Sequence, residues 1–400
     1  MPPRPRFGDD PAERLLVDCV RWPRTPAGID TIREVSQGVD WEHFTALVQR
    51  HRVNLLVVDA LAAAGLTADA ALRASARQAG RVALATIATA AGLIRAFDDA
   101  AINVAIVKGP VLSMRLYGRP DLRDMHDLDL LVAPHDLRAA MRLLTRLGYR
   151  QTSGASPDAA ETVFTAWMRE EKDVTFATPD GLGIVELHHR LLPSPHMLDA
   201  PTIDDATAMI ELGSTRVRTL PDAALFAYLA SHGTYHHWFR LKWLSDIQAI
   251  AAGAAPDMLG AWHDHACARN ARQSSACALA LSERIFGTQL PAALRQAIDG
   301  DRKLVALVAR CERRIAGTDA VPIGIVALPR FVDALLVHDS PRYRWHHFVS
   351  RWQDWRLVAR LPLPRALHFC YLPLRLVTWL ATKAADTLRS LPPRRRRPRP

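Results

Sequence analysis

The chain has 400 residues, 49% of them hydrophobic, which is enough for two or three domains with sizeable cores. Its net charge of +10 suits acidic partners such as nucleotides, nucleic acid or an anionic membrane surface, although much of the excess lies at the C-terminus. Five scattered cysteines without a C-x-x-C pair argue against a disulfide framework or zinc site and favour a reduced cytosol. Neither G-x-x-x-x-G-K-[ST] nor G-x-G-x-x-G occurs, which weakens kinase and dehydrogenase interpretations.

The first hundred residues predict helices. Apolar residues recur at helical spacing in 41–48, in 55–61 and in the alanine-rich stretch 82–101. We interpret residues 1–100 as an N-terminal helical region that packs against the rest of the chain.

Residues 101–200 predict a mixed α/β core. In chain order we expect a strand at 104–107, a helix at 110–117, a strand at 128–132, a helix at 134–147, and a hairpin of strands at 173–177 and 183–188. This order suits a small mixed sheet with helices on one face, and the whole chain is expected to be α+β.

The remaining residues return to helical patterns. We expect a helical domain at 201–320, clearest at 222–232 and 241–252, with helix starts at Pro256 and Pro291. Residues 321–391 are rich in Trp, Leu and Arg; their apolar stretch is too short to span a membrane but suits an interfacial helix. The arginine-rich residues 392–400 predict a disordered basic tail, either solubilising or bound to anionic lipid or nucleic acid.

Two aspartates open the second predicted strand. Asp127 and Asp129 are separated by one residue, so their carboxylates point to the same face of the strand. Magnesium prefers oxygen ligands and is often held by one or two carboxylates plus substrate phosphates. Alone, such a D-x-D triplet is common and can be a solvated strand end, but cations stand close to it in the sequence.

Those cations and a glycine turn precede the aspartates. Lys108 ends a buried strand and can reach a phosphate as a point charge, while Gly109 allows close approach of the backbone. Arg123 can bind phosphate oxygens in bidentate fashion. The stretch therefore predicts a site for Mg²⁺ and a polyphosphate.

This pattern resembles the nucleotidyltransferases of the DNA polymerase β superfamily, and within it a bacterial group with a KG…Y…R…DxDxLV signature. The matching residues are Lys108, Gly109, Tyr117, Arg123, Asp127, Asp129, Leu131 and Val132. The likeness spans roughly residues 40 to 255 and includes Val185-Glu186-Leu187-His188-His189 as the strand with a third acidic residue. Many superfamily members have a Gly-Ser turn where this chain has Lys108-Gly109-Pro110, and Ser113 lies one helical turn further on.

The resemblance implies roles for particular residues. Asp127 and Asp129 would be metal ligands, and Glu186 the third carboxylate, with Asp173 as the runner-up. An ionised carboxylate in the apolar stretch around Glu186 needs a partner or a metal, and a salt bridge to Arg190 is the alternative explanation. Lys108, Gly109, Arg123 and Ser113 would bind the nucleotide phosphates.

The histidines leave alternatives open. His188 shares the strand face of Glu186 and can orient an acceptor, tune Glu186 or be structural. His232 and His236 have metal-ligand spacing on a helix, but no glutamate accompanies them, so zinc is a weak interpretation. They can instead line an acceptor or base pocket.

Two functions of different classes follow. The first is a Mg²⁺-dependent transferase that moves an NMP group from an NTP to a small molecule, peptide or protein. The second is a non-catalytic nucleotide- or partner-binding protein on the same fold, peripheral to the membrane. A third carboxylate beside the aspartates favours the first. No apolar segment follows Met1–Arg6, so we expect a cytoplasmic protein, peripheral to the inner face of the membrane if the C-terminal region binds lipid.

Overall fold

The computed structural model describes residues 7–317, 337–350, 354–371, 373–375 and 377–378. It has the expected α+β architecture, with a small mixed sheet surrounded by helices. The predicted basic tail at 392–400 and much of the predicted C-terminal region at 321–391 lie outside the described residues.

Five helices precede the sheet. The structure confirms the predicted helices at 41–48 and 55–61, whereas the third begins at Ala70 rather than at Val82. Asp10, Asp40 and Asp69 each accept hydrogen bonds from backbone N–H groups of the helix that they precede, which fixes where three of these helices start. The helices are α1 (Pro11–Val20), α2 (Pro26–Val35), α3 (Trp41–His51), α4 (Asn54–Ala63) and α5 (Ala70–Asp99).

The main sheet has five strands in the order β1-β2-β5-β4-β3. Only β2 and β5 pair in parallel, and the other three pairs are antiparallel. Because β5 lies between β2 and β4, it is an inner strand. The strands are β1 (Val104–Ile106), β2 (Leu128–Val132), β3 (Arg150–Gln151), β4 (Asp173–Ala177) and β5 (Ile184–His188).

The two faces of this sheet differ because side chains alternate along each strand. One face is apolar and joins a core with helix α5 and the helices that follow β1, β2 and β3. Leu128 and Leu130 of β2 and Val185 and Leu187 of β5 belong to that core. The opposite face carries the residues between them. The helices inserted between the strands are α6 (Gly109–Tyr117), α7 (Leu137–Arg146) and α8 (Glu161–Glu170).

A second, two-stranded sheet follows. β6 (Ala208–Leu212) and β7 (Thr215–Thr219) form an antiparallel hairpin, and Gly213 at its turn has a φ of 63°. The interpretation of residues 201–320 as a helical domain did not include this hairpin. Its signal was present in the sequence as two short strand-like runs on either side of Gly213-Ser214.

The later helices pack against the N-terminal ones. One continuous core contains residues from Phe7 to Tyr343, and it joins α1–α4 to the helices after the hairpin. The predicted domain boundaries remain predictions. The helices are α9 (Asp222–Tyr235), α10 (Leu241–Ala252), α11 (Pro256–Ala268), α12 (Arg272–Phe286), α13 (Ala292–Gly300), α14 (Arg302–Ala316), α15 (Pro341–Ser350), α16 (Trp355–Arg360) and a 3-10 helix, Arg365–Cys370.

Among the described residues one helix, α5, has the length and apolar composition to cross a membrane. Long core helices have the same composition, so this alone is weak evidence for a span. Leu93, Ile94 and Phe97 of α5 are buried, as the sequence predicts, and the helix contacts α3, α4 and α6.

Candidate active site

The polar face of the sheet gathers acidic side chains. In the parallel register of β2 and β5, Asp129 stands opposite Glu186, and in the antiparallel register of β5 and β4, His188 stands opposite Asp173. Asp129 is buried and Glu186 is half-buried. The carboxylates therefore share one partly covered surface, and their mutual repulsion must be neutralised.

Two lysines and one histidine supply that neutralisation. The Nζ atom of Lys108 lies 3.3 Å from Oδ1 of Asp129. Lys172 forms an ion pair with Asp173, and its Nζ atom lies 3.4 Å from Oε2 of Glu186. The alternative explanation for Glu186, a salt bridge to Arg190, is absent from the described ion pairs, since Arg190 donates to the carbonyl oxygens of Met168 and Arg169.

His188 links the acidic residues. Its Nε2 atom lies 2.9 Å from Oδ1 of Asp129 and 3.2 Å from Oε2 of Glu186, and Nδ1 lies 3.8 Å from Asp173. Burial and the charge of Lys172 act to lower the pKa of His188, but the hydrogen bonds to Asp129 and Glu186 outweigh them and raise it. The raised pKa favours the protonated form of the imidazole, which would add a third positive charge to this cluster.

The same contacts keep the carboxylates ionised. Burial by itself would raise the pKa of Asp129, but Lys108 and His188 hold it well below its usual range. Burial also opposes ionisation of Glu186, yet the hydrogen bond from His188 and the charge of Lys172 bring its pKa to about 2. Both groups therefore present negative charge at neutral pH.

Asp127 occupies a different position from Asp129. It precedes β2, and its carboxylate lies outside the group of ligand atoms formed by Asp129, Glu186 and His188. Burial, followed by repulsion from Asp129, raises the pKa of Asp127, which places the two acids within electrostatic reach. Asp127 makes no hydrogen bond or ion pair within the described part of the chain. Its carboxylate is thus available to a ligand.

The turn after β1 has the predicted glycine geometry. Gly109 has a φ of 61°, in the left-handed region that favours glycine, and it begins α6 directly after Lys108. This turn redirects the backbone and leaves Lys108 pointing at Asp129. Lys108 also lies over the ring of Tyr228, with Nζ 5.7 Å from the ring centroid.

Arg123 and Ser113 have their polar groups engaged elsewhere. The guanidinium of Arg123 is buried and forms an ion pair with Asp246, with Nε at 3.1 and 3.0 Å from the two carboxylate oxygens and Nη2 at 3.0 Å. Ser113 donates to the carbonyl of Arg119 at 2.8 Å and accepts from the backbone N–H of Arg123. Tyr117 is buried and donates to Asp246 at 3.2 Å. Phosphate contacts by Arg123 and Ser113 remain predictions.

An aromatic wall, formed by Tyr228, His232, His236 and Trp243, continues from Lys108. Ring centroids are 5.8 Å apart for Tyr228 and His232, 4.7 Å for His232 and His236, and 4.9 Å for His236 and Trp243, which are stacked. Burial, and then the charge of Lys108, lowers the pKa of both histidines, that of His236 to about 3. Neutral rings of this kind suit stacking with a planar ligand.

Lys172, Asp124 and Lys242 were not singled out in the sequence. Lys172 follows a helix and lies next to Asp173, so neither periodicity nor motif marks it. Lys242 is buried and donates to the carbonyl of Asp124 at 3.1 Å. Burial, and then the charge of Arg123, lowers the pKa of Lys242 to about 7.

The donor set is compatible with a divalent cation. One oxygen each from Asp129 and Glu186 and one nitrogen from His188 lie within 4.8 Å of one another. Two carboxylates suit Mg²⁺ or Mn²⁺, and an added imidazole also suits softer metals. The structure thus brings together Asp129 and Glu186 of the predicted ligands, with Asp127 nearby.

The buried pair of Arg123 and Asp246 yields a stability prediction. Arg123→Met should lower the free energy of unfolding by about 3–5 kcal/mol, because it leaves the Asp246 carboxylate buried without its cation. The double variant Arg123→Met with Asp246→Leu should recover much of that loss. Urea unfolding would measure both, and a single variant as stable as the wild type would contradict this structural role.

His188 yields a pH prediction. Its raised pKa means that its proton stabilises the fold below the ordinary histidine pKa, and this contribution disappears as pH rises through the folded-state value. Without divalent cations, the stability difference between wild type and His188→Gln should therefore shrink as pH rises above about 6.5. Denaturant unfolding in EDTA across pH 6–9 measures it. A difference that is constant, or that grows with pH, would contradict the assignment.

The chain is similar to a known protein family. A model of the protein family described as "Uncharacterised nucleotidyltransferase" matches residues 37–287. That range is more than half of the chain and contains every residue of the site described above. A search among curated proteins returned no match. The chain therefore belongs to this nucleotidyltransferase family.

Proposed function

We propose that this protein is a Mg²⁺-dependent nucleotidyltransferase that moves an NMP group from an NTP to an acceptor hydroxyl or phosphate. The observation that carries the proposal is the pair of ionised carboxylates on adjacent strands, Asp129 opposite Glu186, with Lys108 at 3.3 Å from Asp129. Membership of the family supports the same reaction class.

Asp127, Asp129 and Glu186 are the residues that would hold Mg²⁺. The cation supplies charge neutralisation and alignment of the attacking and leaving oxygens. Lys108 provides a fixed positive charge at the same place, and Gly109 beside it would allow the phosphates to approach the backbone closely. The aromatic wall lies next to Lys108 and offers a stacking surface for a planar base.

In the proposed reaction the acceptor oxygen forms a bond to the α-phosphorus of the NTP. The bond between that phosphorus and the oxygen bridging to the β-phosphate breaks, and pyrophosphate leaves with the electron pair. A hydroxyl acceptor loses its proton to a carboxylate of the centre. The acceptor class remains a small molecule, a peptide or a protein.

The alternative is a non-catalytic nucleotide- or partner-binding protein. Glu186, the third carboxylate close to Asp129, supports catalysis over this alternative. Contact of the C-terminal region with a membrane surface is a separate part of the proposal. It is supported by the exposed side chains of Trp345, Phe348 and Phe369 in this arginine-rich region. We propose a cytoplasmic location, with contact to the inner face of the membrane through that region.

The metal site can be tested by removing one charge at constant size. We expect Asp129→Asn and Asp127→Asn to abolish magnesium-dependent NTP binding and NMP transfer, because each removes an anionic oxygen ligand. Isothermal titration of each NTP with Mg²⁺ identifies the donor, and transfer of the α-phosphate is then followed in an acceptor screen. Thermal unfolding checks that the variants remain folded.

Glu211→Gln is the matched control, since Glu211 is an exposed acidic residue on β6, outside the site. It should bind NTP as the wild type does. Magnesium-dependent binding that persists in Asp129→Asn would overturn the assignment of the metal site.

A further inference from the structure

Two arginines beside the acidic centre lack acidic partners. Arg52 is the residue after α3 and has a φ of 54°, and Arg240 is the residue before α10. Within the described part of the chain neither side chain makes a hydrogen bond or an ion pair, in contrast to Arg24 and Arg123, which bind Asp59 and Asp246. Both are half-buried. An anion would supply the partner that these two guanidinium groups lack.

One hydrogen bond from a backbone N–H to a side chain joins the two segments that carry the arginines. The N–H of Leu241 donates to Nδ1 of His51 at 3.0 Å, so the end of α3 is tied to the start of α10. Arg52 follows His51 in the chain, and Arg240 precedes Leu241. Their proximity is therefore a consequence of how two helices join.

Asp124 ties both segments to the loop that carries Asp127. Its carboxylate accepts hydrogen bonds from the N–H and side chain of Asn54, at 3.1 and 2.6 Å, and from the N–H of Leu55, at 3.0 Å. Its carbonyl accepts from Lys242 at 3.1 Å. Asn54 lies two residues after Arg52, Lys242 lies two residues after Arg240, and Asp127 lies three residues after Asp124. The segments that carry the two arginines are thus both tied to the loop before β2.

The guanidinium of Arg240 is held ready for a ligand. It lies over the rings of Phe239 and Trp243, at 5.0 and 5.9 Å from their centroids, and its buried Nε atom has no hydrogen-bond partner. Burial, and then the charge of Arg52, lowers the pKa of Arg240 to about 10, while Asp127 acts in the opposite direction. Stacking orients the planar group and leaves its other N–H donors available.

We propose that Arg52 and Arg240 form a clamp that binds the β- and γ-phosphates of the nucleotide donor. The inference rests on the proposed function and extends it to the leaving group. Planar guanidinium groups bind phosphate oxygens in bidentate fashion. As the bond from the α-phosphorus breaks, negative charge develops on the departing pyrophosphate, and two fixed cations stabilise it.

The clamp can be tested with magnesium tripolyphosphate, a probe that has neither sugar nor base. The full chain is titrated as wild type, Arg52→Gln, Arg240→Gln and the double variant, with AMP as a second ligand. Each single variant should weaken tripolyphosphate binding by about tenfold or more and leave AMP binding nearly unchanged. Arg146→Gln, at an exposed position of α7, is the matched control for loss of one positive charge.

Folding is checked by the thermal midpoint without ligand. Because the two cations repel each other, Arg52→Gln should leave the midpoint unchanged or raise it, while the increase caused by tripolyphosphate should be smaller than in the wild type. Arg240→Lys keeps the charge without the planar fork, and it should bind tripolyphosphate more weakly than the wild type but more tightly than Arg240→Gln.

Equal tripolyphosphate affinity in wild type and the glutamine variants would overturn the clamp, as would absence of binding to the wild type. A similar loss for AMP and tripolyphosphate would also overturn it, because the arginines would then serve another phosphate. Failure of the proposed function looks different. In that case the arginine-dependent binding of tripolyphosphate remains, but no NTP donates an NMP group.

Discussion

The repulsion between Asp129 and Glu186 is the constraint on which the site depends. Parallel pairing of β2 and β5 places these acids opposite one another, and the alternation of side chains that buries Leu128, Leu130 and Leu187 on one face turns them toward the other. Lys108, Lys172 and His188 balance their charge. Carboxylates that are balanced by three basic side chains can exchange some of those contacts for a metal ion.

The other buried acids have a structural role. Asp246 holds Arg123, and Asp124 satisfies the first N–H groups of α4 and the Lys242 side chain. These pairs fasten α10 and α4 to the loop before β2 and so define the rim of the acidic centre. Charged residues that satisfy one another shape the site, whereas Asp127, Arg52 and Arg240 lack such partners within the described part of the chain.

Much of the fold and of the candidate site could be predicted from the sequence because it depends on local pattern. The strand that follows Asp127, the turn at Gly109 and the hairpin leading to Glu186 each have a clear period or turn signal. Arg123 and Asp246 are 123 residues apart, and no local pattern shows that they pair. The contacts of Lys172 and Asp124 likewise depend on the tertiary fold and cannot be predicted from local sequence. The same holds for the approach of Arg52 to Arg240. The β6–β7 hairpin was not predicted because its short strands lie in a helix-rich half of the chain.

The central claim is that Asp127, Asp129 and Glu186 form one metal centre. The most direct test is a crystal structure grown with Mn²⁺ and a non-hydrolysable NTP analogue, with the ion located by its anomalous signal. The account predicts an ion bound by oxygens of Asp129 and at least one of Asp127 and Glu186, with the α-phosphate beside it. An ordered nucleotide with its metal away from all three carboxylates would contradict the account.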